Sequence, residues 1–353
     1  MKIAVGLSGG VDSSVTALVL KEAGHDVVGT TMKIWDGRPT SHSKGNSCYG
    51  PNEQEDIRDA FNLCKKLEIP YHVVDCSRQY NEIVLRNFDE EYRAGRTPNP
   101  CVACNEKIKF GMLPLMLSQS GVAFDRFATG HYAMTDFDRV QARYVLKKGK
   151  DPKKDQSYFL YRLSQSQLAK VMFPLGEYTK ERVRAIARDA GLPVHDKKES
   201  QDFYGGDYAE LLSVKDGSGD IVDAKGAVLG RHAGIWNFTI GQRKGLGVAG
   251  GVPLYVVSLN AERNEVLLGE KELLLSKGLR ATDLNIIAGK MPRRAFVKTR
   301  STSEAIPCTV DFDGIELEIT FDEPQLAVTP GQSAVVYDGE AVAGGGIITE
   351  AVK

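Results

Sequence analysis

An apolar strand pattern followed at once by a glycine- and serine-rich turn constrains this chain more than any other feature. The run Ile3–Leu7 precedes Ser8–Ser13, which reads S-G-G-V-D-S, and a helical pattern follows over Val11–Ala23. Adjacent glycines let backbone N–H groups turn inward, and a helix start adds the positive end of its dipole. We expect Ser or Asp capping at that start. The pattern therefore predicts a βα unit with a phosphate cradle, distinct from the G-x-x-x-x-G-K-[ST] loop because no Lys follows the glycines.

Length and composition indicate several domains and a reducing compartment. The chain has 353 residues, which suggests two or three domains. It shows no apolar run of ~18 residues and no signal-peptide pattern, so we expect a cytoplasmic protein without a membrane segment. Six cysteines in such a chain predict reduced thiols for catalysis or metal binding rather than disulfides.

The net charge of −1 does not by itself favour nucleic-acid binding. The charge is unevenly distributed, however, because five lysines lie within residues 147–154. Glycine, aspartate and proline are interspersed among them, which predicts a loop. Such a loop is suited to phosphate contacts, although a solvated surface loop is the alternative interpretation.

The order of strand and helix patterns predicts the architecture. Strand runs alternate with helical patterns over the first ~135 residues, which indicates parallel βαβ units. A helical pattern spans 164–192, and short strand runs with Asp-Gly turns follow towards the end of the chain. We therefore predict an α/β N-terminal domain with a doubly wound parallel sheet (residues 1–200), a small central β-rich domain (201–282) and a C-terminal β-barrel (283–353).

Further strings along the chain resemble one enzyme family. These strings are Gly95–Pro100, Cys104–Phe110, Ala128–Tyr132, Lys154–Leu160, Glu199–Asp202, Phe238–Gly247, Thr329–Gln332 and Gly344–Gly346. Together with S-G-G-V-D-S they resemble, in family order, the tRNA-specific 2-thiouridylases of the N-type ATP pyrophosphatase superfamily. The resemblance covers essentially the whole chain. It implies that ATP adenylates the 2-oxygen of the wobble uridine and that a sulfur nucleophile then displaces AMP.

The resemblance and the turn chemistry together predict binding residues. The ATP site is expected at Gly6, Leu7, Ser8, Gly9, Gly10, Val11, Asp12, Ser13, Met32 and Gly130. Asp12 would hold Mg²⁺ or orient the loop, and Met32 would lie beside the adenine. The tRNA site is expected at Asn99, Pro100, Cys101, His131, Lys154, Asp155, Gln156, Arg300, Ser301 and Gln332. For His131, a satisfied histidine at a strand end is the alternative.

The cysteines depart from the family's pattern. Many members carry Asn-Pro-Asp-x-x-Cys and a second cysteine after Glu-Ser-Gln-Asp, whereas here Cys101 replaces the aspartate and Tyr204 the second cysteine. Cys104 matches the first catalytic cysteine. The Cys101/Cys104 spacing at a helix start is expected to lower thiol pKa values and suits a redox pair or two metal ligands.

Several interpretations of this cysteine pair remain open. Cys101 and Cys104 could bind a [4Fe–4S] cluster with Cys48 as third ligand and Cys76 as runner-up, or form a persulfide–disulfide relay. Structural zinc and a bystander pair are the lesser alternatives. Cys64 and Cys308 are expected in cores.

The expected partners are tRNA and a sulfur donor, such as a cysteine desulfurase or a relay protein, and we expect a monomer or weak dimer. Competing functions are another adenylating enzyme of the same loop class and a non-catalytic RNA-binding protein. The intact S-G-G-V-D-S loop and the Cys101/Cys104 pair argue against these competitors.

Overall fold

The computed structural model describes residues 1–39, 47–197, 202–213, 217–248 and 252–353. These residues form two compact units. The first unit comprises Met1–Val84, Cys101–Gly206 and Glu340–Val342, and the second comprises Leu85–Pro100, Asp207–Gly339 and Ala343–Lys353. Residues 199–201 of the string Glu199–Asp202 lie outside the described part of the chain.

A parallel sheet organises the first unit. Its strands are β1 (Lys2–Gly6), β2 (Asp26–Lys33), β4 (Tyr71–Asp75), β5 (Arg126–Ala128) and β8 (Val171–Met172), and β3 (Ser47–Tyr49) lies outside it. The strand order is β4-β2-β1-β5-β8, and all neighbours are parallel. The chain leaves β1 towards β2 on one side and later returns to β5 on the other. The carboxyl ends of β1 and β5 therefore form the switch point at which ligands bind in open α/β sheets.

Helices connect these strands and cover the sheet. Those of the first unit are α1 (Val11–Glu22), α2 (Glu53–Lys66), α3 (Ser77–Tyr80), α5 (Pro100–Ala103), α6 (Leu113–Gln119), α7 (Gln165–Leu168) and α8 (Lys180–Asp189), with π-helical turns at Asn81–Leu85 and Cys104–Met112. Helix α4 (Arg86–Arg93) belongs to the second unit. Short 3₁₀ turns lie at Ser157–Leu160, Pro174–Glu177, Tyr208–Leu211, Ile235–Asn237 and Lys271–Leu274. Apolar faces of α1, α2 and α8 share one buried core with β1 and β2. No helix in the described ranges is both long and apolar enough to cross a bilayer.

Two small strand pairs complete the first unit. β6 (Ala133–Asp138) and β7 (Arg143–Lys148) form an antiparallel hairpin. β3 pairs in parallel with β9 (Asp202–Tyr204), with Tyr49 opposite Tyr204. This second pairing joins segments that lie some 150 positions apart in the chain, and it places residue 48 opposite residue 203.

The second unit is rich in antiparallel strands. A four-stranded sheet in the order β11-β10-β13-β12 uses β10 (Gly219–Val222), β11 (Val228–His232), β12 (Tyr255–Asn260) and β13 (Glu265–Gly269). The barrel strands are β14 (Leu275–Ile286), β15 (Arg294–Lys298), β16 (Ile306–Phe312), β17 (Leu317–Leu326), β18 (Ser333–Asp338) and β19 (Ala341–Val352). β14 pairs with both β17 and β19, which closes the barrel around a buried apolar core.

The predicted fold class is confirmed, and three local expectations are wrong. The 164–192 segment is interrupted by β8 and a 3₁₀ turn, because Val171–Met172 adds an edge strand beside β5. Lys147 and Lys148 lie in β7 rather than in a loop, since β6 supplies their backbone partners. The helix start at α1 has Gly10 as its N-cap and carries no side-chain capping hydrogen bond. The expected domain boundary after residue 282, a position inside β14, stays a prediction.

Candidate active site

The S-G-G-V-D-S loop lies at the switch point of the parallel sheet. It connects the carboxyl end of β1 to α1, and Leu7 N–H donates to the carbonyl of Thr30 on β2. Met32, predicted beside the adenine, lies near the carboxyl end of β2. Gly130 follows the carboxyl end of β5. The residues predicted for ATP therefore share one edge of the sheet, where the fold class places its ligands.

Serine side chains hold the loop in shape. Ser8 N–H donates to Ser13 Oγ over 3.2 Å, and Ser13 Oγ in turn donates to the Gly10 carbonyl over 3.2 Å. Ser14 Oγ also donates to that carbonyl, at 2.8 Å. The hydroxyls thus stabilise the turn itself, and backbone N–H groups at the α1 start provide an anion-binding end.

The two glycines of the loop meet different surroundings. Gly9 has a φ of +67°, and a Cβ there would lie 2.7 Å from the Asp56 carbonyl oxygen of α2. At Gly10 the nearest atom to such a Cβ is Ser8 Oγ at 3.5 Å, which is an ordinary contact. Gly9 is therefore required by the protein's own packing, whereas Gly10 leaves space at the mouth of the cradle.

Asp12 is held by two side chains of the first unit. Lys180 Nζ lies 2.8 Å from Asp12 Oδ1 and 2.8 Å from Oδ2. Tyr132 Oη donates to Asp12 Oδ1 over 2.7 Å. Both carboxylate oxygens accept hydrogen bonds from the protein, and the two roles expected for Asp12, loop orientation and Mg²⁺ binding, stay predictions.

Gly130 and His131 connect the nucleotide loop with the cysteine-bearing helix. A Cβ at Gly130 would lie 2.8 Å from Asp12 C and from Ser13 N, so only glycine permits this approach to the α1 start. The His131 ring lies 5.6 Å from the ring of Phe110, on the π-helical turn that begins at Cys104. Gly130 therefore contacts the nucleotide loop, and the next residue, His131, contacts the helical segment that carries Cys104.

The His131 imidazole is partly buried, and its surroundings disfavour the protonated form. Burial, and the charge of Lys109 nearby, lower its pKa well below the ordinary value. Its Nδ1 shares a 2.8 Å hydrogen bond with Thr129 Oγ1, and its ring contacts Phe173 as well as Phe110. This environment fits the alternative interpretation, a satisfied histidine at a strand end, and the expected tRNA contact stays a prediction.

Cys48, Cys101 and Cys104 come from two segments of the chain and lie in one region. Like charge on Cys101 and Cys104 raises the pKa of Cys48, and like charge on Cys104 raises the pKa of Cys101. Cys48 Sγ also lies 3.6 Å from the Phe203 carbonyl oxygen. The β3–β9 pairing therefore brings a thiol beside the segment in which Tyr204 stands in place of the second cysteine.

The expected lowering of thiol pKa values is wrong. Desolvation is the main cause that raises the pKa of Cys101 to about 12 and the pKa of Cys104 above its ordinary value. Desolvation is also the main cause at Cys48, although part of this residue reaches the surface. Lys109 opposes the rise at all three thiols. Burial therefore outweighs the helix start and the nearby cation.

The remaining cysteines are buried. Cys64 belongs to the core of the parallel sheet and Cys308 to that of the barrel, as expected. Cys76, the runner-up third ligand, is fully buried after β4, and desolvation raises its pKa to about 12. Among the residues with described positions, no three His, Cys, Asp or Glu side chains are arranged to hold a single metal ion. The donors themselves suit an iron–sulfur cluster, whose ligands are cysteine thiolates.

Several residues predicted to contact tRNA in the first unit hold its own backbone. Asp155 Oδ1 accepts from Gly149 N–H and Ser157 N–H, both at 3.1 Å. Gln156 Oε1 accepts from Tyr132 N–H over 2.9 Å. Lys154 N–H donates to the Asp151 carbonyl at 3.0 Å, which closes a turn. These bonds shape the segment that follows β7.

In the second unit, Gln332 and Arg300 also bond internally. Gln332 Nε2 donates to the carbonyls of Thr97 and Pro98, at 3.0 and 3.1 Å, directly before Asn99. Arg300 Nη2 donates to Ile240 O, Ala327 O and Thr329 Oγ1. The guanidinium thus joins strings that the resemblance had singled out separately, and its phosphate contact, like that of Ser301, stays a prediction.

Sequence reasoning missed three residues of this site: Lys180, Tyr132 and Lys109. Tyr132 and Lys109 lie inside strings already quoted for the resemblance, so the family pattern contained that signal. Lys180 is the first residue of α8. A lysine at a helix N-terminus opposes the helix dipole, and this local mismatch is a signal that could have identified it.

Comparison with known proteins agrees with this geometry. A tRNA methyl transferase HUP domain family matches residues 1–204, a tRNA methyl transferase PRC-barrel domain matches 209–270, and an aminomethyltransferase beta-barrel domain matches 276–348. A 4-thiouridine synthetase in an RNA complex with bound ATP shares 16% identity over 59% of this chain and 44% of that chain, at a TM-score of 0.38. That structural likeness is too low to support a functional argument.

Full-length relatives are much more similar. The chain is 48% identical to tRNA-specific 2-thiouridylase MnmA of Endomicrobium trichonymphae, over 99% of both chains. It is 45% identical to the protein of that name from Geotalea uraniireducens, over 100% of this chain and 96% of the relative. The protein of that name from Clostridioides difficile is 42% identical, over 99% of both. The chain therefore belongs to the tRNA-specific 2-thiouridylase family of enzymes.

Proposed function

We propose that this chain carries out ATP-dependent 2-thiolation of the wobble uridine of tRNA, with the sulfur held at the Cys101/Cys104 site. The observation that carries the proposal is the contact made by Gly130 and His131. Gly130 lies against the start of α1 at the nucleotide loop, and His131 lies against Phe110 on the helix of Cys104. A uridine between these two regions reaches both the α-phosphate of ATP and a sulfur nucleophile.

The first step is adenylation. The uridine 2-oxygen attacks the α-phosphorus of ATP, the bond to the β-phosphate breaks, and pyrophosphate leaves into the S-G-G-V-D-S cradle. Backbone N–H groups at the start of α1 stabilise the departing negative charge. Mg²⁺ enters with the ATP phosphates, and the Asp12 carboxylate, bonded to Lys180 and Tyr132, orients the loop.

The second step is sulfur transfer. A sulfur nucleophile attacks C2 of the adenylated uridine, the C2–O bond breaks and AMP leaves. Cys48, Cys101 and Cys104 would hold a [4Fe–4S] cluster, which would supply the sulfur nucleophile when bound. Lys109 provides a positive charge near these thiols, and the ring of His131 packs against Phe110 on the helix of Cys104.

A cysteine relay is the alternative for the same reaction. The terminal sulfur of a Cys104 persulfide attacks C2 and AMP leaves. The Cys101 thiolate then attacks Cys104 Sγ. The bond between Cys104 Sγ and the sulfur on uridine C2 breaks, which leaves the thiolated base and a Cys101–Cys104 disulfide. A thiol reductant returns the pair to its starting state. Structural zinc at the pair is the remaining metal alternative.

The wider setting of the reaction is part of the proposal. The substrate is tRNA, bound in part by the lysines of residues 147–154, and the sulfur comes from a cysteine desulfurase or a relay protein. Six free cysteines suit a reducing compartment such as the cytoplasm. We propose that the protein is a monomer or weak dimer and that it has three domains, at residues 1–200, 201–282 and 283–353. The family matches at 1–204, 209–270 and 276–348 support that division.

Anaerobic purification of the full chain tests the sulfur site. We expect visible absorption and bound iron that are lost in Cys104→Ala, and thiolation of tRNA that requires iron–sulfur reconstitution. Cys308→Ala is the matched control, because that thiol lies in the barrel core. Full activity of iron-free protein contradicts the cluster and leaves the relay, whereas full activity of Cys104→Ala contradicts both.

Measurement of ATP turnover with and without tRNA separates the competing functions. AMP and pyrophosphate formation that depends on tRNA carrying an unmodified wobble uridine supports the proposal. Turnover that depends on another substrate indicates a different adenylating enzyme, and tRNA binding without turnover indicates a non-catalytic RNA-binding protein.

A further inference from the structure

The ion pair between Asp12 and Lys180 joins the nucleotide loop to the start of α8. Lys180 Nζ lies 2.8 Å from each oxygen of the Asp12 carboxylate, and Tyr132 Oη donates to Oδ1 at 2.7 Å. The Lys180 side chain is only 11% exposed, and the Asp12 side chain 27%. The pair therefore lies mostly out of solvent, where charges interact strongly and an unpaired charge is destabilising.

Lys180 occupies a position that its own helix disfavours. It is the first residue of α8, directly after the N-cap Thr179, and a cation there opposes the helix dipole. Its backbone N–H donates to Asp151 Oδ2 at 3.0 Å, so the start of α8 is held in place. Because the local preference is violated, the reason for the lysine lies in its tertiary contact with Asp12.

Asp12, unlike Lys180, is favoured by the dipole of its own helix, but its negative charge is unfavourable for phosphate binding at the nucleotide loop. It lies in the first turn of α1, where a carboxylate stabilises the helix dipole. The same helix start is the anion-binding end of the S-G-G-V-D-S cradle, so an uncompensated carboxylate there repels phosphates. Lys180 removes this repulsion, because its ammonium neutralises the carboxylate.

The Tyr132 hydroxyl fixes the direction of the carboxylate. Tyr132 is buried, and its backbone exchanges two 2.9 Å hydrogen bonds with Gln156: Tyr132 N–H donates to Gln156 Oε1, and Gln156 N–H donates to Tyr132 O. Lys180 Nζ also lies 5.8 Å from the centre of the Tyr132 ring. The Asp12 carboxylate, the Lys180 ammonium and the Tyr132 hydroxyl thus form one compact group that joins α1 to α8.

We propose that Lys180 is a positioning residue for ATP, which clamps and neutralises Asp12 so that this carboxylate shapes the nucleotide loop and does not ligate Mg²⁺. This inference rests on the proposed use of ATP. It assigns the loop-orienting role to the Asp12–Lys180 ion pair, and Tyr132 supports this pair through its hydrogen bond to Asp12 Oδ1.

Titration of ATP into the full chain, at several Mg²⁺ concentrations, tests the clamp with four proteins: wild type, Lys180→Met, Lys180→Arg and the double variant Asp12→Asn/Lys180→Met. Lys180→Met should weaken ATP binding by about tenfold or more, because the unpaired carboxylate repels the phosphates. Lys180→Arg should retain most of the affinity, and the double variant should recover it to within about threefold, since both charges are removed together. The Mg²⁺ dependence should stay that of wild type in the double variant.

Lys66→Met is the matched control, because Lys66 Nζ donates to the carbonyls of Ala190 and Gly191 at the other end of α8. It should leave ATP affinity unchanged. Unchanged affinity in folded Lys180→Met overturns the clamp, and so does a double variant that fails to recover and loses its Mg²⁺ dependence, which would assign Asp12 to the metal. If Lys180→Met alone does not fold, the double variant still decides between these outcomes. Wild-type protein that does not bind ATP contradicts the proposed function itself, and the inference with it.

Discussion

The nucleotide loop and the thiol region of the first unit are built in opposite ways. The loop is contiguous in sequence, consists of residues 8–13, and binds through backbone groups that a glycine-rich turn exposes. The thiol region takes Cys48 from β3 and Cys101 and Cys104 from a helical segment some 50 residues later, and its side chains range from the exposed Cys48 to the buried Cys104. A site made of one segment needs little more than local structure, whereas a site made of distant side chains depends on strand pairing and burial.

The largest expected effect tests whether Cys48 truly belongs to the thiol region. Cys48→Ala should lower tRNA thiolation by more than about 100-fold, because the third sulfur donor is lost, and should leave ATP binding unchanged. Cys76→Ala should retain most of the activity, since its thiol is fully buried after β4. The measurement is thiolated tRNA formed by anaerobically reconstituted protein.

Cys64→Ala and Cys308→Ala are controls for substitution of a buried thiol elsewhere. If Cys76→Ala is inactive and Cys48→Ala is active, the assignment of the third ligand is reversed. Equal, full activity of both variants would remove the third cysteine from the site altogether.

The next effect separates the two loop glycines. Gly10→Val should abolish ATP binding in a folded protein, because a side chain there meets only ordinary protein contacts but fills the mouth of the cradle. Gly9→Val should instead destabilise the fold by roughly 2 kcal/mol or more, because of its positive φ and the backbone of Asp56 behind it.

Urea denaturation and ATP titration on both glycine variants provide the measurement. Gly10→Val should lower the affinity for ATP, whereas Gly9→Val should lower the free energy of unfolding. ATP bound with wild-type affinity by folded Gly10→Val would show that phosphates do not approach this glycine.

A smaller effect concerns the lysines after β6. Replacement of Lys147, Lys148 and Lys150 by Glu should weaken tRNA binding by about tenfold or more and reduce the slope of log affinity against log salt by about 2 to 3. The ion pairs Lys147–Asp136 and Lys148–Glu340 are largely exposed, at 3.1 and 3.7 Å, so their loss contributes little. ATP binding, measured in parallel, should not change. A tRNA affinity equal to that of wild type would leave these residues as a solvated surface.

The smallest effect contrasts the core thiols with those of the site. Desolvation raises the folded-state pKa of Cys64 to about 12. Between its ordinary pKa and pH 12 the unfolded thiol loses its proton while the folded one keeps it, so stability falls as pH rises through this window. The stability difference between wild type and Cys64→Ala should therefore shrink by about 1 kcal/mol from pH 9 to pH 10. Urea denaturation at each pH measures this difference, and a constant difference would mean that the thiol is more hydrated than its burial indicates.

Much of the fold could be predicted, because it follows from local patterns. Alternating apolar runs and helical patterns predicted the parallel strands β1, β2, β4 and β5, and strand runs with Asp-Gly turns predicted β15 to β18. Short strands such as β3, β8 and β9 were missed. A strand of two or three residues carries almost no periodic signal and forms only because a partner strand supplies its hydrogen bonds.

The sequence by itself determined the nucleotide loop, the fold class and the identity of the candidate thiols, since these depend on contiguous residues or on residue type. Only the tertiary structure decided the rest. It gave Asp12 its partner Lys180 from the start of a distant helix, and it placed Cys48 beside Phe203 through the β3–β9 pairing. It also raised the thiol pKa values that the sequence had led us to expect to be lowered. Desolvation is the cause, and it depends on the tertiary packing around each sulfur, which the neighbouring residues in the sequence do not determine.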